Sequence, residues 1–216
     1  MNPALVGVAL AVIVGAVVAG SARNARTAIL GLVMTMVGGP LLADPSAAPL
    51  GLAARLVAAI LAGYLLWIAT RGPGVRTRGT LLGWPTDLFL AAGAAVVGYG
   101  SSGLGAPAGG PPLAAAAGFA LAALAFLPIV TGRDILRVGI GLGLLLGGAL
   151  LLRTSLGGTP DALEQLMAAG LIATLGGAVA VLCIAARSDG RPGFALSAIG
   201  PHPAGHDPDA HPVETS

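Results

Sequence analysis

The sequence predicts an all-α integral membrane protein of about seven transmembrane helices, and three observations predict it. Charged residues are 9% of the chain and apolar residues 56%, a ratio that a soluble core of this size cannot hide. The apolar residues come in successive runs, each long enough to cross roughly 30 Å of hydrocarbon as a helix. No run alternates apolar with polar, which argues against the strands of a transmembrane barrel.

The first run spans about Ala4 to Gly20 and meets Arg23 and Arg26. Met1-Asn2-Pro3 lacks the positive segment that opens a signal peptide, so this run is expected to stay as a membrane span. A second span, Thr27 to Ala43, ends in the turn Asp44-Pro45-Ser46; a third runs from Leu50 to Thr70, before Arg71, Arg76 and Arg78. Pro85 and Asp87 open a fourth, Leu88 to about Leu104. The uncharged Gly-Ala-Pro-Ala-Gly-Gly-Pro-Pro stretch from Gly105 to Pro112 breaks any helix. A fifth span, Leu113 to Val130, leads to Arg133 and Arg137. The sixth, Ile135 to Leu152, precedes a loop carrying Arg153, and the seventh, Leu163 to Ala186, precedes Arg187 and Arg191. The expected organisation is a transmembrane domain over residues 1–187 and a disordered cytoplasmic tail over 188–216, where too little apolar surface offsets ordering entropy.

Orientation follows from the arginines, since the chain has no Lys and Arg-rich loops stay cytoplasmic. Arg23 and Arg26, then Arg71, Arg76 and Arg78, then Arg133 and Arg137, then Arg187 and Arg191 fall on one side; Arg153 and Arg55 fall on the other. The N-terminus is predicted outside and the C-terminus inside a bacterial-type cell membrane. A segment beginning at Arg23 also aligns with one beginning at Arg133, at a period of roughly 110 residues. Arg23 and Arg26 match Arg133 and Arg137, Ile29 matches Ile140, Pro49 matches Pro160 and Leu52 matches Leu163. These matches predict two parallel three-helix repeats, about 4–70 and 113–186, joined by one linking helix at about 88–104.

The residues narrow the chemistry further. Without lysine there is no amine for a retinal Schiff base, so a seven-helix opsin is excluded. The single cysteine, Cys183, lies in an apolar run and reads as a packing residue. Gly98, Gly100 and Gly103 spell G-x-G-x-x-G but end a membrane span, so no dinucleotide fold and no cofactor site is expected there. His202, His206 and His211 are spaced by prolines in the tail and do not make a preorganised metal site. Asp161 and Glu164 follow Pro160 and read as the capped start of the last helix. Gly139, Gly143 and Gly147 recur every fourth residue and place a smooth packing stripe on the sixth span. Arg55 reads as an interfacial arginine snorkelling to the membrane edge, with an anion contact as the alternative. Asp87 is the best candidate for a proton or cation contact, against a plain role in starting its helix.

Arg133-Asp134-Ile135-Leu136-Arg137, a glycine-rich helix, then Pro160-Asp161-Ala162-Leu163-Glu164 opening the last helix, resembles the membrane-arm E subunit of group 4 (formate-hydrogenlyase type) hydrogenases. The same helix pair is similar to the K subunit of NADH-quinone oxidoreductase and the C subunit of multi-subunit sodium/proton antiporters. The resemblance implies a place among other membrane subunits, in contact with lipid and not with nucleic acid. It also implies membrane carboxylates where this chain has Leu146-Gly147-Gly148 and Gly170. The resemblance thus implies a non-catalytic subunit that packs, seals or bridges a membrane arm, an accessory to a membrane oxidoreductase or antiporter. A self-contained small-solute or ion transporter or channel stands as the alternative.

Overall fold

The computed structural model describes residues 3–43, 48–71, 83–101, 110–132 and 134–188. These residues form seven helices: α1 (Pro3–Ser21), α2 (Ala25–Gly38), α3 (Pro49–Ala69), α4 (Trp84–Ser101), α5 (Pro112–Thr131), α6 (Ile135–Gly157) and α7 (Ala162–Ser188). The protein is an all-α membrane protein, and among the described residues six of the helices, α2 only together with the 3-10 turn that continues it to Leu42, are long and apolar enough to cross a bilayer. α4 falls short by composition, yet it stands as tall as its neighbours. Its first turn carries Asp87, which acts electrostatically on Arg137 at the start of α6, while its last residue, Ser101, shares a cavity with Ser155 at the far end of α6.

Local chemistry sets the helix ends. α2 starts at Ala25, two residues before the sequence expectation, because Asn24 caps it: the Arg26 N–H donates to Asn24 Oδ1 at 3.1 Å. Pro40 follows a glycine pair and cannot donate to an α-helical ladder, so α2 tightens into a 3-10 turn over Gly39–Leu42. α6 runs on past Leu152 through Arg153, which was expected in a loop, and stops only at Gly157 and Gly158, the latter at φ 75°. The expected tail lies outside the described residues, as do the tail histidines, Gly103, Arg76, Arg78, Arg133 and Arg191.

Small residues let the helices approach. A Cβ on Gly31 of α2 would stand 2.6 Å from the Gly15 carbonyl oxygen and 2.6 Å from the Ala19 nitrogen of α1, so the two backbones touch there. A like approach occurs 110 residues later: a Cβ on Gly141 of α6 would stand 3.2 Å from the Ala125 carbonyl oxygen and 2.8 Å from the Ile129 side chain of α5. The backbone at the two helix starts is alike, with Asn24 at φ −102°, ψ 124° and Asp134 at φ −108°, ψ 132°, though only Asn24 adds a side-chain cap.

Two helix pairs, α3 with α7 and α2 with α6, pack side by side and point the same way. α3 and α7 touch at Gly51 and Gln165 near their starts and at Ala62 and Gly176 farther along, and Arg187 Nη1 donates to the Ala69 carbonyl at their ends. Both bury the same face, Arg55, Ala58, Ala59 and Ala62 on one and Gln165, Ala168, Ala169 and Ile172 on the other. α2 and α6 are likewise parallel, with Leu32 against Gly143 and Met36 against Gly147. α4 lies outside this arrangement, against α5 and α1, and buries only Asp87, Ala91 and Gly98.

Candidate functional site

Charged groups gather at the two ends of the bundle, and the buried hydroxyl at its middle, Thr35, donates to the backbone carbonyls of Val12 and Gly31. At one end are the start of α2, the start of α6 and the ends of α1, α3 and α7. Arg26 lies over the Trp67 ring, 5.5 Å from its centroid. Arg137 Nη2 donates to the Gly20 carbonyl at 3.2 Å, and Arg187 Nη1 to the Ala69 carbonyl at 3.1 Å. Each arginine from the second half thus satisfies a carbonyl at the end of a first-half helix, where the helix dipole favours a cation. Asp87 is at this end, 1% exposed, and together with Asp134 it supplies the negative charge facing Arg137. Its place at the start of α4 matches the expectation; its near-complete burial beside α6 could not be read from the sequence.

At the other end, Arg153 Nη2 and Glu164 Oε1 form an ion pair at 2.7 Å, with both side chains roughly half exposed. The Glu164 N–H donates to Asp161 Oδ1 at 2.7 Å and the Asp161 N–H donates to Glu164 Oε2 at 3.3 Å. This reciprocal pair is a capping box on α7, as expected for these two acids.

Arg55 departs from expectation. A snorkelling arginine keeps its head in water, but Arg55 is 6% exposed and points between α3 and α7, where Nη1 donates to Gln165 Oε1 at 3.2 Å. The residues beside it explain the difference: Gly51, Ala58 and Ala59 on α3 and Ala168 and Ala169 on α7 leave room for a guanidinium inside the helix pair. Gln165 was missed by sequence reasoning. It is the one glutamine of the chain, and it stands 110 residues after Arg55.

Between the ends lies a cavity of about 30 Å³ bounded by α2, α3, α6 and α7. Leu32, Met36, Leu66, Leu146, Ile172 and Val179 are among its walls, and no ionisable side chain lines it. The glycine stripe of α6 borders this space but does not serve one neighbour. A Cβ on Gly139 would meet Val179 of α7, one on Gly143 would meet Leu32 of α2, and one on Gly147 would meet Met36 of α2 and Leu121 of α5. A second cavity, about 330 Å³, opens between α4, α5 and α6. Its hydroxyls are spent on their own helices, Ser101 on the Gly98 carbonyl and Ser155 on the Leu152 carbonyl. Among the described residues no cluster of His, Cys, Asp and Glu could hold a metal ion. Cys183 is fully buried within α7, consistent with a packing role.

No protein-family model, curated protein or solved structure matches this chain.

Proposed function

We propose that the chain is a non-catalytic membrane subunit that packs or seals the membrane arm of a complex-I-like, hydrogenase-like or cation-antiporter-like assembly. One observation carries this reading: the two positions at which the resembled subunits place membrane carboxylates are unable to relay protons and have no substitute beside them. Leu146 lines the apolar cavity. Gly170 is exposed on the outer face of α7, with no atom within 4 Å of where a Cβ would stand. A proton path needs groups that can take and release a proton at hydrogen-bonding intervals, and hydrocarbon supplies none.

The test is to isolate a tagged chain in mild detergent from its native membrane and weigh the particle. A stoichiometric complex with other multi-helix membrane subunits is expected. A monodisperse single chain that moves ions in liposomes would overturn the reading and favour the second one, a self-contained transporter. The observations on that side are the two buried ionisable residues, Asp87 and Arg55, at opposite ends of the bundle.

A further inference from the structure

Arg55 and Gln165 form a buried polar pair whose hydrogen bonding is unfinished. The two residues are 6% and 1% exposed. Their single mutual bond uses Arg55 Nη1 and Gln165 Oε1. Arg55 Nε and Gln165 Nε2 are both shut off from solvent without an acceptor, and no carboxylate among the described residues pairs with Arg55. A guanidinium does not give up its proton in proteins, so the charge cannot be shed. A cation inside a membrane bundle without a counter-charge is among the costliest arrangements a chain can hold.

The chemistry of the orphan groups says what is missing. Both are N–H donors, and Gln165 Oε1 is already engaged by Arg55. The absent partner therefore accepts hydrogen bonds and carries negative charge. Size is limited as well: a Cβ on Gly51 would stand 2.6 Å from Gln165 Cβ, so α3 and α7 pack closely beside the pair. Access is short, because Arg55 lies six residues along α3 from Pro49, about 9 Å at the helical rise.

We infer that Arg55 and Gln165 hold a small inorganic anion of chloride size between α3 and α7, bound by Arg55 Nε and Gln165 Nε2. A lipid phosphodiester offers the same acceptor chemistry, and the close packing at Gly51 favours the smaller guest. The site draws one residue from each half of the chain, so the anion fastens the halves together at the end opposite Arg137. It stands independently of the assembly proposed above.

The experiment uses the full chain, delipidated in a neutral detergent, with a thiol-reactive fluorogenic dye reporting the exposure of Cys183, the only cysteine, on heating. Chloride is titrated against gluconate at constant ionic strength, and phosphatidylglycerol is titrated separately in gluconate. A saturable rise of the unfolding midpoint with chloride is expected, absent in Arg55→Met. In Gln165→Leu, which keeps the charge and loses one donor, the half-saturating concentration should rise roughly tenfold. A rise with phosphatidylglycerol alone, again lost in Arg55→Met, would keep the anion and assign it to lipid. Equal midpoints in all three media, or a chloride effect retained in Arg55→Met, would overturn the inference. So would a chloride effect that appears only in Asp44→Asn, because the counter-charge would then be the chain's own.

Discussion

Arg55 marks where residue-level reading reaches its limit. Its type and its place in an apolar span were legible, and both fit an arginine stretching to water. Its burial depends on alanines facing it from a helix 110 residues away, which no local pattern reports. Asp161 and Glu164 are the opposite case. Proline, then an acid, then an acid three residues on is a local signal for a capped helix start, and the reciprocal bonds at 2.7 and 3.3 Å realise it. Asp161→Ala should therefore lower stability by about 1 kcal/mol, seen as a lower unfolding midpoint in detergent. Arg153→Gln should change it by less than about 0.5 kcal/mol, because the Arg153–Glu164 pair is solvated and its side chains are half exposed. A larger loss from Arg153→Gln than from Asp161→Ala would mean that the ion pair, and not the cap, holds the start of α7.

At the scale of helices, the spans were legible because apolar run length and glycine, proline and arginine breaks are local properties. Boundaries slipped where the deciding group was not a breaker: Asn24 extended α2 backwards, and Arg153, a good helix former, was carried within α6. The glycines separate two roles that look alike in sequence. Gly31 is pressed against the backbone of α1, which cannot rotate away, whereas Gly177 has nothing within 4 Å of its absent Cβ. Gly31→Ala should cost about 1–3 kcal/mol through forced separation of α1 and α2. Gly177→Ala should gain up to about 1 kcal/mol, since only helix propensity changes. Gly143→Leu belongs with the first: its Cβ already meets Leu32 at 3.0 Å, and the rest of the side chain has no room between α6 and α2. Thermal midpoints for the three variants give the order, and equal shifts for Gly31→Ala and Gly177→Ala would show that α1 and α2 do not touch as described.

At the scale of the whole molecule, the arginines and the apolar middle lead to two linked expectations. Arg26, Arg137 and Arg187 are brought to one end of the bundle, so the clustering inferred from loop order is a property of the fold. The positive-inside rule then predicts Met1 outside and the segment after Arg187 inside, and cysteine labelling from either side of sealed vesicles reads this directly. Labels on Met1 and Ser216 variants that report the same side would remove the orientation and the parallel-repeat argument together. The second expectation concerns protons. Asp87 is the one carboxylate buried within a helix of the bundle among the described residues, and it sits at the arginine-rich end beside Arg137. The cavity at the middle of the bundle, between α2, α3, α6 and α7, is lined by no titratable group, so it offers a proton no relay towards the opposite end. The purified chain in liposomes under an imposed pH gradient should therefore show no flux above empty liposomes on an internal pH dye, and Asp87→Asn should leave that baseline unchanged while lowering stability. Flux in the parent chain that disappears in Asp87→Asn would require a water-filled path through the middle of the bundle, and would exchange the sealing subunit for a transporter.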